Sequence, residues 1–298
     1  MISFILLNYK NLKDTIECIE SINKIKTDKK ISTIVVDNAS LTKDEVEKLK
    51  KYTKNIILLK ENVGFAKGNN KGCKYAIEKY NPDFLCVINN DTLIKQANFV
   101  DEIYRCYKET NFDIMGPKII TDGGESVNPF PVYDNIYTIN EKIAYHNKLI
   151  KIYGNVLLRN LLAIYMKTKR LFVKPKHLEN GKKSEYGVAL HGCALIFSKK
   201  YYKRYNDVFY NETFLYHEEE FLYYRKLHDN LITYYDANLE IFHKEGASLN
   251  KTFEKDNYKK LIFRNKEIVK SLTLLKNVYE KKETIWGEQN EWYKEKKC

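Results

Sequence analysis

The sequence predicts an α/β fold: a mostly parallel sheet flanked by helices, with a helical insertion and a helical C-terminal tail. Three observations carry this. Short β-branched runs alternate with longer stretches of helical period over the first 120 residues. Those runs are apolar throughout, as strands covered on both faces must be. Polar residues and glycines collect just after the runs end, where open α/β sheets bind their ligands. Taken in order, strands are expected at Ile2–Leu7, Ile31–Val36, Ile56–Leu59, Phe84–Ile88 and Phe112–Ile120. Helices are expected between them at Leu12–Ile25, Thr42–Tyr52, Ala66–Tyr80 and Gln96–Glu109. Asp122-Gly123-Gly124, Pro129 and Pro131 then signal an irregular loop. Ile139–Val173 has apolar residues at helical spacing among Lys148, Lys151, Arg159, Lys167, Lys169 and Arg170. Strand-like runs return at Val188–Phe197, Ile232–Tyr235 and Leu239–Phe242, around an acidic helix at Glu218–His228. A charged segment of helical period follows from Phe253. The expected division is one catalytic domain over residues 1–250, with the insertion at about 138–175, and a helical extension over 251–298.

Composition narrows the class. In 298 residues the apolar share is 44%, enough for a packed core, so global disorder is excluded. The net charge is +12, and 45 of the 51 basic residues are Lys. Base reading and bidentate phosphate clamping favour Arg, so a Lys-dominated surface points to an anionic membrane face or phosphate-bearing substrates and not to nucleic acid. The six cysteines are scattered, with no CxxC pair, which argues against a disulfide framework or zinc site and for a reducing cytosol. MISFILLNYK lacks the basic start of a signal peptide, and no apolar run reaches membrane-spanning length. A cytoplasmic protein is expected.

Four segments carry candidate chemistry. VVDNAS ends a strand in Asp37, which can accept from a pyrimidine imide; the plainer reading is a cap for the next helix. ENVGFAKGNNKG sets three glycines and three Asn at a helix entry, where backbone N–H groups favour an anion or nucleotide. It is neither a Walker A loop nor a GxGxxG fingerprint, and such a stretch is often only a turn. VINNDT ends a buried strand in Asp91, a carboxylate suited to a hard cation shared with substrate phosphates, or else to an Asx-turn. YHEEEF places three carboxylates at a helix start among aromatic and aliphatic neighbours; they suit a general base, or simply the helix dipole. Successive helical side chains turn by about 100°, so only one or two of the three can face a site.

Together VVDNAS, NVGFAKGNNKG, INND, HGCALIF, FLYHEEEFLYYR and HKEGAS resemble, in order and separation, the family 2 inverting glycosyltransferases of the GT-A fold. The likeness is to the rhamnosyltransferase-like members that build bacterial surface polysaccharides, and it covers about residues 2–250. The resemblance implies that Asp37 holds the nucleotide base, that Asn62, Gly64 and Asn70 lie near the nucleotide, and that Asn89-Asn90-Asp91 is the DXD-type motif. It makes Asp91 a metal ligand with His243 beside it, and Glu219 the general base with Glu218 adjacent. Asn8, at the end of the first strand, joins the expected nucleotide contacts, and His191 is expected to border the acceptor site. Two positions depart from the pattern: Asn89 stands for the first Asp of DXD, and Glu219 for an aspartate, leaving the choice between Glu218 and Glu219 open.

The expected activity is therefore inverting transfer of a sugar from a UDP- or dTDP-type nucleotide-diphospho-sugar to a saccharide acceptor, lipid-linked, with Mn²⁺ or Mg²⁺. Work at the inner face of the cell membrane, through the basic insertion, is part of that expectation. Two rivals stand. A catalytically silent sugar-nucleotide-binding or scaffold protein would keep the fold without the intact carboxylates. A sugar nucleotidyltransferase would need a glycine-rich basic loop after the first strand, where Asn8-Tyr9-Lys10-Asn11 has no glycine.

Overall fold

The computed structural model describes residues 1–121, 126–132, 135–162, 183–244 and 257–281. Its nine-stranded sheet runs β3-β2-β1-β4-β8-β6-β9-β5, with β7 paired to β9. The strands are β1 (Ile2–Asn8), β2 (Ile31–Asp37), β3 (Asn55–Leu58), β4 (Phe84–Asn89), β5 (Thr92–Leu93), β6 (Ile114–Thr121), β7 (Glu185–Tyr186), β8 (Ala194–Ser198) and β9 (Thr233–His243). β1 to β4, β6 and β9 share one direction, while β5, β7 and β8 oppose it. The expected mostly parallel sheet is what forms. The reversal of β8 has a consequence for the site. Ala194 pairs with Ile88, so the residues leading into β8 arrive at the edge where β4 ends.

The helices are α1 (Leu12–Asn23), α2 (Lys43–Leu49), α3 (Phe65–Tyr80), α4 (Phe99–Thr110), α5 (Ile136–Gly154), α6 (Lys199–Arg204), α7 (Glu218–Asp229) and α8 (Asn257–Lys281). α2 starts at a full capping box between Thr42 and Glu45, as the polar run after Asp37 suggested. The sheet separates two apolar clusters. One joins Ile5, Ile34, Val87 and Phe197 to α3, α7 and α8, and the other joins Phe4, Leu6, Cys86 and Ile196 to α1 and α4. Such two-sided burial is what the unbroken apolar strands require. Cys18, Cys73, Cys86, Cys106 and Cys193 are free and buried, as scattered cysteines acting as small hydrophobes should be.

Several expectations need correction. The runs at 232–235 and 239–242 belong to one strand, β9, whose register against β6 shifts between Pro117 and Lys118. Ala237 and Asn238 sit in that shift, their amides satisfied by Ser184 and Asp236 side chains. The basic helical stretch is interrupted after Gly154. Asn155 leaves helical geometry, and its side chain then caps the next turn through Leu157 and Leu158 N–H groups. Helical residues resume at 156–162; the expected remainder to Val173 lies outside the described residues. α5 packs on α8, with His146 Nδ1 2.6 Å from Asn265 Oδ1, and beyond the break the Arg159 guanidinium lies 4.4 Å from the Tyr258 ring of α8. Leu272 and Leu275 of α8 are fully buried in the same cluster as α3 and α7, so the tail helix closes the domain.

The glycine-rich stretch divides by role. Gly68 and Gly72 lie inside α3, where a Cβ would stand 2.5 Å from Leu7 and 2.6 Å from Ile5. They let the helix sit close on β1. Asn70 is engaged by the protein itself: its Nδ2 donates to Phe209 O (2.8 Å) and Asn211 Oδ1 (2.9 Å), and its Oδ1 accepts from Phe209 N (2.8 Å). This buried amide ties α3 to the loop that leads into α7. Asn70→Ala removes all three bonds and orphans the Phe209 amide, so chemical denaturation should show a loss of about 1–3 kcal/mol. An unchanged midpoint would mean the tie is dispensable.

Candidate active site

Asn8, Asp37, Asn89 and His243 close their strands at one edge of the sheet. Buried side chains at this edge must find partners, and several expected ligands are spent on one another. Asp37 is 2% exposed and accepts four bonds: Oδ1 from Asn8 Nδ2 (2.8 Å) and Ser40 Oγ (2.6 Å), Oδ2 from the Ser40 and Leu41 amides (2.9 and 3.0 Å). A carboxylate has about four acceptor sites, so a nucleobase imide must displace Ser40 or Asn8 to reach it. Asn8 is held in turn by Thr15, whose hydroxyl donates to Oδ1 at 2.8 Å. Asn90 gives its amide to the same Thr15 hydroxyl (2.9 Å). Asn8, Asp37 and Asn90 thus form a buried brace between β1, β2, β4 and α1, which a nucleotide that uses them must open.

The nucleotide-side loop is clamped from both directions. Asn62 Oδ1 accepts from Gly64 N (3.0 Å), an Asx-turn, while Asn38 bonds the Val63 amide and the Gly64 carbonyl (2.9 and 3.2 Å). Gly64 has φ +86°, and a Cβ there would lie 2.3 Å from Phe214 O. Only glycine meets both demands. Gly64 and Asn62 therefore stand at the start of α3 as expected, with their backbone shaped before any ligand arrives.

Asp91 and His243 come together as expected. Thr92 pairs with His243 across β5 and β9, and His243 Nε2 lies 3.1 Å from Asp91 Oδ1. His243 Nδ1 is buried without a hydrogen-bond partner. Asp91 Oδ1 and His243 Nε2, 3.1 Å apart, are one anionic oxygen and one imidazole nitrogen at the spacing of neighbouring ligands on a divalent cation that completes its shell with diphosphate oxygens. Among the described residues no group of three or more His, Cys, Asp and Glu forms an all-protein cage. Asn89, the neighbouring departure from DXD, gives its backbone N–H to Cys193 O at 2.8 Å.

The carboxylates stand opposite. Tyr216 and His217 precede α7 with φ of 71° and 69°, left-handed backbone that bulky residues rarely adopt. This turn aims the first residues of α7. Glu218 points inward, 6% exposed, with Oε1 unpartnered. Burial, then the neighbouring Glu219 charge, pushes its carboxyl up to about 8. Glu220 bonds His217 Nδ1 (2.9 Å), and burial raises it against the pull of that histidine. Glu219 alone of the three turns to the sheet edge, its Oε1 accepting from Gly192 N at 2.9 Å. The segment ahead of β8 completes the join. Cys193 N donates to His191 Nδ1 (3.1 Å), and the His191 ring lies 6.3 Å from that of His243. His191 N in turn bonds Asn128 Oδ1 at 2.7 Å.

Three contributors escape sequence reasoning. Asn128 is fully buried in an apparently irregular loop; Gly192 is a single glycine between patterned residues; Arg225 is buried against the 207–208 carbonyls and Tyr201. The position of Gly192 between His191 and a buried strand was the one available signal.

Comparison with known proteins gives the family and the fold. The sequence model "Glycosyl transferase family 2" matches residues 3–172, more than half of the chain, and the protein belongs to that family. It is 28% identical over 134 residues to the low-salt glycan biosynthesis hexosyltransferase Agl10 of Haloferax volcanii. That match covers 44% of this chain and 40% of the relative, so it spans less than half of the relative's length. The crystal structure of S. aureus TarS 1–349 superposes with a TM-score of 0.50 at 14% identity, over 89% of this chain and 64% of that one. This likeness carries the fold, and the GT-A expectation holds.

The inward Glu218 has a measurable consequence. Its value in the folded chain, about 8, lies above the ordinary 4.5, so the native state keeps a proton that the unfolded chain releases. Stability is whole below the unfolded value and falls as pH rises toward the folded one. Glu218→Gln removes that loss. Between about pH 5 and pH 8 the variant should gain roughly 2–4 kcal/mol on the wild type in denaturation experiments. Parallel pH curves would show that Glu218 is not held neutral.

Proposed function

We propose that the protein is an inverting, metal-dependent glycosyltransferase that moves a sugar from a nucleotide-diphospho-sugar of UDP or dTDP type to a saccharide acceptor, lipid-linked, in surface polysaccharide synthesis. The observation that carries this reading is the convergence of the Asp91–His243 pair and Glu219 on the segment His191–Cys193 at one sheet edge. Family membership and the hexosyltransferase relative support it.

In this reading Glu219 accepts the proton of the acceptor hydroxyl as its oxygen bonds the anomeric carbon. The bond from that carbon to the diphosphate oxygen breaks on the opposite face, and its electron pair leaves with the nucleoside diphosphate. One displacement inverts the centre, and no covalent enzyme intermediate is required. Asp91 and His243 would hold Mn²⁺ or Mg²⁺, which when bound neutralises charge developing on the diphosphate. The Asn62–Gly64 turn, its own amides committed to Asn38 and Asn62, shapes the entry of α3 on the nucleotide side.

A panel of UDP-, dTDP- and GDP-sugars, scored for nucleotide release with Mn²⁺ or with EDTA, tests the reading against a silent binding protein and a nucleotidyltransferase. Glu219→Gln keeps shape but cannot take a proton. Turnover should fall by roughly two to four orders of magnitude while nucleotide affinity is kept. Asp91→Asn should instead weaken Mn²⁺-dependent nucleotide binding in calorimetry. Full activity in Glu219→Gln would place the base elsewhere, and unchanged metal-dependent affinity in Asp91→Asn would end the cation assignment.

A specific observation favours membrane attachment. Val156, Leu157, Leu158 and Leu161 are 57, 75, 44 and 63% exposed, with Lys148 and Lys151 exposed on the same segment. Among the described residues no helix is long and apolar enough to cross a membrane. An apolar ridge flanked by lysines suits the surface of an anionic bilayer. The wild type should sediment with phosphatidylglycerol vesicles and not with phosphatidylcholine. Lys148→Glu with Lys151→Glu should weaken this, each basic residue being worth about 1 kcal/mol. A wild type that stays in the supernatant with both would confine this ridge to protein contacts.

A further inference from the structure

Two adjacent carboxylates open α7, and the chain treats them oppositely. Their side chains diverge by about 100° around the helix. Glu218 enters the core with an oxygen that finds no partner. Glu219 reaches across to the lead-in of β8, where the Gly192 N–H meets its Oε1 at 2.9 Å. Gly192 has no left-handed φ, so backbone freedom is not why a glycine stands there. Space is the reason. A Cβ on residue 192 would lie 2.8 Å from Glu219 Oε1 and 3.3 Å from its Cδ.

The amide is itself immobilised. His191 N is anchored on Asn128 Oδ1 (2.7 Å), whose own Nδ2 is anchored on Pro117 O (2.8 Å). Asn89 N holds Cys193 O at 2.8 Å, and Cys193 N holds His191 Nδ1 at 3.1 Å. The residues before and after Gly192 are thus tied to β6 and β4. A fixed dipole aimed at a carboxylate is worth most when nothing must reorganise to provide it.

We infer that the Gly192 amide is the positioning group that selects Glu219 over Glu218 as the proton acceptor and commits Oε1, leaving Oε2 to the acceptor hydroxyl. The inference rests on the proposed glycosyl transfer and names a residue that acts through Glu219. Burial supports it from the other side, since the inward Glu218 is pushed up to about 8 and stays protonated at neutral pH. The same three-residue segment carries the His191 ring against His243, so one short stretch of backbone sets the base relative to the cation pair.

Gly192→Ala tests this through kinetics. With whichever UDP- or dTDP-sugar the wild type turns over, water or saccharide serving as acceptor, kcat should fall about 100-fold, the scale of an ångström-sized misplacement. The dissociation constant for UDP with Mn²⁺ should stay within about twofold, because the displaced group does not bind the nucleotide. Adding Glu219→Asp, which withdraws the carboxylate by one methylene from the new Cβ, should restore at least about tenfold. A glycine needed only for folding would show no such rescue. Wild-type kcat in Gly192→Ala overturns the inference, as does a double variant no better than the single one. Should Gly192→Ala fail to fold, amide hydrogen exchange decides. The Gly192 N–H should be protected in the wild type and exchange at least about tenfold faster in Glu219→Ala, with Cys193 N–H unchanged. An unprotected Gly192 amide in the wild type overturns the inference too. Full activity in Glu219→Gln would sink the base assignment instead, so the two failures are told apart.

Discussion

The carboxyl edge of the sheet is governed by one constraint: every polar side chain buried there must be satisfied. β1, β2 and β4 each stop in a polar residue, because an apolar strand that emerges from the core must hand its ladder to something else. Asn8, Asp37, Ser40, Thr15 and Asn90 satisfy one another in a closed brace. A ligand that uses one of these groups must displace a neighbour from it. The yield of the brace is a rigid floor. The groups left facing the opening are those that the brace does not absorb: Asp91, His243 and Glu219.

The same constraint explains how the edge acquires a reactive side. β8 runs against its neighbours, so its entry and not its exit lies at this edge. A strand entry presents backbone N–H groups without partners from its own ladder. Here Gly192 N turns to Glu219, and Cys193 N to the His191 ring. An all-parallel sheet of this size would have placed a sixth polar strand end here, and no amide aimed across at α7.

Much of this was legible in the residues. β1 to β4, β6 and the first four helices follow from unbroken apolar runs alternating with stretches of period 3.6, because both faces of the sheet are covered; the two-residue β5 has no such run. The proximity of Asp91 and His243, 152 positions apart, was legible through resemblance only; no local pattern encodes a β5–β9 pairing. Asn8, Asp37 and Asn90 read as contacts because a polar residue at a strand end looks the same whether it binds a ligand or a neighbour, and Asn70 because it lies in the glycine-rich entry of α3. What separates the two is partner count, which is a property of the folded chain. Asp37 has four partners and Asn70 three bonds, while His243 Nδ1 and Glu218 Oε1 have none. The break at Gly154 was missed for a different reason. A hydrophobic period continues across it, and only the capping by Asn155 shows that the helix restarts.

Unsatisfied atoms such as His243 Nδ1 and Glu218 Oε1 mark where the structure tolerates cost. Glu218 is buried at the price of a raised protonation equilibrium, and Tyr216 and His217 hold left-handed backbone just ahead of it. Strained or unpaired groups persist only where surrounding contacts over-determine them. Those contacts are present: Ser271 of α8 bonds Leu215 O at 3.0 Å, and the Arg264 guanidinium lies 5.8 Å from the Tyr216 ring. The C-terminal helix therefore does more than cover apolar surface. By holding Leu215 and Tyr216 it sets the direction in which α7 begins, and that direction decides which glutamate turns inward and which meets Gly192. Shortening the tail helix removes the support for the turn before it exposes any group at the sheet edge, which makes α8 part of the machinery that orients the carboxylates.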